Sequence, residues 1–337
     1  MDLSKEMWMG IPSLVKHHWK EGNYNWFMVI YISICHIMAG IGAVKYLPLA
    51  SANTLMMCYF LYYFSGLGII VGLHRLWAHR TYEASLPLRI FLMLGASAAN
   101  EGSIFHWVRD HRVHHKYSET HGDPHNATRG FFFAHCGWLL IKKHPDVIKH
   151  GRDIDMSDIL ADKVVMFQKK LDPWINVYMC FFFPAQIASH FWKEDFWTAF
   201  FVAGFLRYVI VLHFTWMVNS AAHLYGDHPY DTLSYPAENP LVAWVTGGEG
   251  WHNWHHKYPY DYATSEFGGL AQYNPGKAAI DVFCALGLAS NPKRATAAWA
   301  HGRARRDKDA ANGIKPPTVE RRPWSVKKGA DAAKKIE

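Results

Sequence analysis

The chain carries 22 histidines in 337 residues, and most stand in short clusters. "GLHRLWAHR" holds His74 and His79, "HRVHH" holds His111, His114 and His115, and "WHNWHH" holds His252, His255 and His256. "WMVNSAAH" places Asn219 and His223 one helical turn apart. On a helix, positions i, i+3 and i+4 share one face, so HRVHH and HNWHH each aim three imidazoles the same way. His74 and His79 are five apart, about 140° around a helix of about 3.6 residues per turn, so this pair is expected to straddle a helix end. Protonating such clusters together costs mutual repulsion, and leaving them without a cation wastes their lone pairs. A metal removes both problems, since neutral imidazole is a ligand for zinc, copper, iron or nickel. Nine imidazoles exceed one ion's coordination sphere, which points to two ions with a position left for dioxygen or water. Cys35, Cys58 and Cys180 lie inside apolar runs and Cys136 and Cys284 stand alone, with no CxxC. A disulfide framework, structural zinc and iron–sulfur clusters are therefore not supported. In the loop that follows HRVHH, His121 and His125 break the helical spacing and read as loop residues.

The elements that must position these groups are apolar. Half of the chain is hydrophobic and only 19% is charged. Four stretches of about twenty residues, 26–44, 55–73, 173–192 and 196–218, are nearly free of charge, and each is long enough to cross a hydrocarbon core of roughly 30 Å as a helix. They pair into two hairpins with turns at 45–53 and 193–195. A fifth run, 86–99, is shorter, contains Arg89 and reads as an amphipathic helix at the interface. Arg207, inside the fourth stretch, is costly in hydrocarbon and is expected to face the bundle interior or a polar cavity. Short turns put the arm 1–23, the segment 74–172 and residues 219–337 on one side, and their Lys and Arg make that side cytosolic. The arm shows no cleavable signal peptide. Residues 24–300 form the main domain. The tail 301–337 holds eleven Lys/Arg and five Asp/Glu, a net of +6 against +7 for the whole chain. It is expected to be disordered and membrane-adjacent, not bound to nucleic acid.

HRLWAH, HRVHH and HNWHH resemble the three histidine boxes of the membrane fatty acyl-CoA desaturases of the stearoyl-CoA Δ9 type. "WVRDHRVHHKYSETHGDPHNATRGFFFAHCGWLLIKKHP", "FLRYVIVLHFTWMVNSAAHLYG" and "GGEGWHNWHHKYPYDYATSEF" extend the resemblance in the family's order, over roughly residues 24–295. It implies an all-α integral membrane protein of the endoplasmic reticulum. Four transmembrane helices would lie under a cytosolic helical cap carrying a di-iron site, with both termini cytosolic. The implied ligands are His74, His79, His111, His114, His115, His223, His252, His255 and His256, with Asn219 holding a water on one iron. The implied reaction removes two hydrogens from carbons 9 and 10 of saturated C16 or C18 acyl-CoA, giving a cis double bond. An unactivated methylene has no acidic proton and no leaving group, so a redox metal must supply the oxidising equivalent. Zinc has no redox chemistry, although it binds such a site more tightly than ferrous iron and can replace it in purified protein.

The two electrons are expected from cytochrome b5 and NADH–cytochrome b5 reductase, because the chain has no HPGG haem motif of its own. The resemblance places Arg109, Asp110, Lys142 and Lys143 at the CoA head group, Trp216 on the acyl path, and Tyr62 and Gly66 at the buried end of the acyl tunnel. Lys142 stands where relatives often have Arg, Met28 and Gly102 where many have Asn, and Glu101 where they often have Gln. The alternatives are an acyl-CoA desaturase of other regiospecificity, an acyl-lipid desaturase, a membrane di-iron lipid hydroxylase, and a non-catalytic membrane metal receptor.

Overall fold

The computed structural model describes residues 11–312 apart from Leu270. It is almost entirely helical. A helix α1 (Ile11–Lys20) leads to α2 (Trp26–Leu49) and α3 (Ala52–Ala78), two of three described helices long and apolar enough to cross a membrane. The third is α7 (Phe196–Leu224). The expected span at 173–192 forms a continuous helix α6 over 174–192, but it is shorter and less apolar than the other three. Side-chain oxygens open these helices by accepting orphan backbone N–H groups: Asn25 from Met28 at 3.4 Å, Ser51 from Thr54 at 3.3 Å and Asp195 from Thr198 at 2.8 Å.

The two hairpin turns are joined to each other. Glu194 Oε2, in the turn between α6 and α7, accepts from Ser51 N at 2.9 Å and Ser51 Oγ at 2.6 Å, at the start of α3. The opposite ends of α3 and α7 carry His74 and His223. Arg207 faces inward as expected, 4% exposed. Its guanidinium donates to the Ala203 carbonyl at 2.8 Å and the Cys180 carbonyl at 3.0 Å.

The run 86–99 is the helix α4 (Leu86–Ala99), and it packs deeper than an interfacial helix would. Leu88, Leu92, Met93 and Gly95–Ala99 are buried, and Arg89 pairs with Asp162 at 3.0 Å. Glycine permits this approach: a Cβ on Gly68 would lie 2.1 Å from Ala96 N. The cap consists of α5 (Ile104–Tyr117), short helices through residue 171, α8 (Pro240–Thr246), α9 (His252–Lys257), α10 (Pro275–Ala285) and α11 (Thr296–Ala311). A two-residue antiparallel pairing, Glu83–Ala84 with Ala289–Ser290, ties the two halves of the cap together. Residues 301–311, expected to be disordered, are instead helical as part of α11; residues 313–337 and 1–10 lie outside the described residues.

Candidate functional site

Nine histidines from α3 and the turn that ends it, α5, α7 and α9 meet where α3 and α7 enter the cap. His74, His79, His111, His115 and His255 form one group, and His114, His223, His252 and His256 a second. In each group one nitrogen from every ring lies within 4.8 Å of those of the others. The helices α5 and α9 deliver their triplets at i, i+3 and i+4, and each triplet contributes to both groups.

His74 and His79 converge by a different route from the one expected. The last part of α3, Gly68–Ala78, is wound with i→i+5 hydrogen bonds, and His79 N donates to His74 O at 3.1 Å. Five residues then make about one turn, and the two rings come to 4.9 Å. A π-helical stretch of this kind often marks a functional site.

The arrangement fits metal ions. Nε2 atoms face one another at 2.9 Å (His74–His255, His115–His255), 2.8 Å (His79–His111), 3.0 Å (His223–His252), 3.1 Å (His252–His256) and 3.3 Å (His114–His256). Neighbouring ligands at metal–nitrogen distances of about 2.0–2.1 Å are separated by roughly this amount. Carboxylates occupy the far side of three rings: Glu249 Oε2 is 2.8 Å from His74 Nδ1, Asp123 Oδ1 2.9 Å from His114 Nδ1, and Glu119 Oε1 2.6 Å from His223 Nδ1. The Glu249 approach is close in distance but off the hydrogen-bond line. A carboxylate at Nδ1 keeps the proton there and turns the Nε2 lone pair inward. His255 Nε2 faces two other Nε2 atoms, and one proton cannot serve both contacts; a cation can.

Electrostatics agree. Burial, and then the neighbouring imidazoles, hold His79, His111, His115, His252, His255 and His256 well below the ordinary histidine value, and His114 down to about 3. The rings are thus neutral, lone-pair ligands at neutral pH. For Glu249, burial alone would raise the carboxyl, but His74 and Arg75 beside it pull it down to about 2. Arg75, with none of its side chain exposed, is bound by Glu249 at 2.7 Å.

These three carboxylates were not singled out in the sequence. The signal was there, in the acids flanking the boxes: "GGEGWH" before the last one and "KYSETHGD" after the second. His125 also proves to be more than a loop residue. It is buried, 4.2 Å from the His114 ring, and forms a further group with His114 and Asp123. His121 lines a small polar cavity with Arg129, Lys142, Lys143 and His144.

The other expected site residues fall into separate places. Asn219 lies on α7 one turn before His223. Asp110 accepts from Arg109 at 3.0 Å and also pairs with Lys143. Lys142 Nζ donates instead to the Gly22 carbonyl at 2.8 Å. Trp216 is buried among His36, His135 and His213. Tyr62 and Gly66 line an apolar cavity of ≈ 80 Å³ together with Val211, Phe214 and Thr215, and its wall reaches Glu249 beside His74. The Tyr62 hydroxyl donates to the Val245 carbonyl, and a Cβ on Gly66 would meet nothing within 4 Å.

The fatty acid desaturase family model matches residues 50–279. The chain is 51% identical to the acyl-CoA desaturase of Cyprinus carpio over 287 residues, covering 85% of this chain and 87% of that protein. It is 46% identical to the stearoyl-CoA desaturase of Homo sapiens over 295 residues, with 86% and 81% covered. It is also 46% identical to the acyl-CoA Delta-9 desaturase of Acheta domesticus over 289 residues, with 86% and 80% covered. With its two histidine clusters set at the end of membrane-length helices, this chain belongs to the fatty acid desaturase family.

Proposed function

We propose that the protein is an acyl-CoA desaturase that introduces a cis double bond at Δ9 of saturated C16 and C18 acyl-CoA. The observation that carries this reading is the juxtaposition of two imidazole groups with an apolar cavity whose wall reaches Glu249, the carboxylate beside His74. The balance is R–CH2–CH2–R′ + O2 + two electrons + two protons giving R–CH=CH–R′ + two H2O. Two iron ions supply the redox chemistry that an unactivated methylene requires, and that no side-chain base offers.

The nine histidines would hold the irons as neutral ligands, five in one group and four in the other, with Asn219 holding a water. Glu249, Asp123 and Glu119 keep the Nδ1 protons of His74, His114 and His223 and fix the ring orientations. Tyr62 and Gly66 close the acyl cavity and set the length of chain that fits beyond the reacting carbons. Arg109, Asp110, Lys142 and Lys143 meet the CoA head group at the surface, and Trp216 borders the path inward. As a point charge, Lys142 binds phosphate without the bidentate fork of Arg. The electron donor is cytochrome b5 with its NADH-dependent reductase. In this reading α2, α3, α6 and α7 all span the endoplasmic reticulum membrane, with the cap and both termini cytosolic.

The test is expression in a desaturase-deficient yeast, with metal analysis of the purified protein and mass-spectrometric location of the double bond. Rescue with Δ9 C16 and C18 products is expected, as is zinc in preparations depleted of iron. Hydroxylated products, desaturation of intact glycerolipid only, or failure of a well-expressed, iron-loaded protein to rescue would overturn the assignment.

A further inference from the structure

The charges behind the two imidazole groups are unevenly distributed. Behind the five-ring group stands Glu249, beside His74, and Arg75 meets its charge at once: Glu249 Oε1 accepts from Arg75 Nε at 3.1 Å and Nη2 at 2.7 Å. A second cation, Arg112, donates to the Trp77 and Ala78 carbonyls, next to His79, at 2.8 and 3.1 Å. Arg112 pairs with Asp158 at 2.7 Å, a carboxylate that Arg80 also holds at 2.7 Å. Glu101 is one indole further out, accepting at 3.0 Å from Trp107, which stacks on His111. Arg75, Arg80 and Arg112 thus stand against Glu249, Asp158 and Glu101, and no anion is left over.

Behind the four-ring group two anions are left over, and residues 118–123 bring both. Asp123 Oδ1 lies 2.9 Å from His114 Nδ1 and accepts the His125 N–H at 3.1 Å. Its Oδ2 accepts the Glu119 N–H at 2.9 Å. That bond holds Glu119 in the left-handed region, at φ 57°, where its carboxyl reaches His223 Nδ1 at 2.6 Å. Neither acid pairs with Lys or Arg among the described residues. The cations next to this group in sequence turn elsewhere, Lys116 to the Tyr117 ring and Lys257 to Asp231. His125 Nδ1, 3.6 Å from Asp123, is buried without a hydrogen bond, a setting that does not suit a charged imidazole N–H.

We propose that Asp123 and Glu119 bias the four-ring group toward the more highly charged ion, so that of two bound irons the one among His114, His223, His252 and His256 is the first to lose an electron. This rests on the di-iron reading of the cluster, and both acids act as positioning residues, through the rings. Uncompensated negative charge beside a metal favours its higher oxidation state. A carboxylate hydrogen-bonded to a ligating imidazole also raises the basicity of that ring. At Glu249 the Arg75 guanidinium cancels the charge and leaves only the orientation of His74. The ion that is easier to oxidise is then also the one with fewer imidazoles around it.

The experiment titrates the protein, loaded with two ferrous ions in detergent, with ferricyanide, each equivalent of which takes one electron and becomes ferrocyanide. After one equivalent, Mössbauer spectra should show ferric and ferrous iron in equal amounts. Spatially resolved anomalous scattering at the iron edge should place the ferric ion in the four-ring group. A ferric ion in the five-ring group, or both oxidation states spread equally over the two positions, overturns the proposal. Binding of fewer than two irons overturns it together with the di-iron reading, whereas two irons oxidised in the wrong order leave the desaturase reading standing.

Two variants separate charge from orientation, at iron concentrations that saturate the site. Glu119→Gln keeps an oxygen that accepts from His223 Nδ1 but removes the charge. Its first oxidation equilibrium should become at least about tenfold less favourable, a shift of about 59 mV for one electron. Asp158→Asn removes a carboxylate from the five-ring side and should leave that first step in place. An unmoved first step in Glu119→Gln, or an equal shift in Asp158→Asn, overturns the proposal. If Glu119→Gln fails to hold iron, the position of the ferric ion in the wild-type protein decides.

Discussion

At the scale of single residues, the carboxylates behind the imidazoles separate two roles. Glu119 touches only the His223 side of the cluster, so Glu119→Gln is expected to lower metal affinity by about 10–100-fold with little change in the stability of the metal-free protein. Glu249 holds His74 and also the buried Arg75. Glu249→Gln should lose metal affinity and, by leaving a buried cation unpaired, about 3–5 kcal/mol of stability as well. Metal content after dialysis and denaturant unfolding in detergent, run on both variants, distinguish the two outcomes. Gly66 lines the apolar cavity with nothing within 4 Å of a built Cβ. Gly66→Tyr should therefore fill the cavity and shift the products toward shorter chains; an unchanged C18 to C16 product ratio would count against this position as the tunnel end.

At the scale of elements, the i→i+5 winding of Gly68–Ala78 is what brings His79 to His74. A regular α-helix would leave the two rings on different faces. The same segment crosses α4 at closest approach, and Gly66 and Gly68, two of the three glycines of α3, behave differently there. Gly68→Ala must push the helices apart, because its Cβ would sit 2.1 Å from Ala96 N and 2.2 Å from Gly95 C. A cost of at least about 1–3 kcal/mol is expected, with loss of metal because His74 and His79 move with the segment. Gly66→Ala, half a turn away, should stay within about 0.5 kcal/mol of wild type. Equal unfolding midpoints for the two variants would show that the crossing does not depend on glycine.

At the scale of the whole molecule, the cluster makes stability depend on pH. Six cap imidazoles are held well below the ordinary value and His114 at about 3. Groups with depressed values contribute stability above the unfolded histidine value of about 6.5, and that stability is lost as pH falls below it. Raised carboxyls run the other way, the contribution of Glu101 being full below the unfolded carboxyl value and lost as pH rises through about 7 and that of Glu238 as it rises through about 8, but they are fewer than the depressed imidazoles. The metal-free protein should accordingly unfold at progressively lower temperature as pH drops below about 6.5. Metal loading should move that loss to lower pH, because protons and metal compete for the same nitrogens. A pH-independent melting temperature between neutral and mildly acidic conditions would contradict the buried, neutral cluster.

The periodicities that need only a regular helix were legible in the residues. HRVHH and HNWHH, at i, i+3 and i+4, fixed two triplets of imidazoles, and the apolar runs at 26–44, 55–73 and 196–218 marked the three longest apolar helices. The histidine spacing and its flanking context carried the family. Other features depended on contacts between distant segments, which no local pattern encodes. The π-wound end of α3 departs from the usual helical period, and the division of nine rings into groups of five and four follows from which imidazoles of α5 and α9 face one another. The approach of Glu249, Asp123 and Glu119 to the imidazoles and the burial of α4 likewise appear only once the chain is folded. Sequence determined which atoms this protein has for binding a metal. Tertiary structure decided which of them face one another, and so which protons, charges and lone pairs remain to do chemistry.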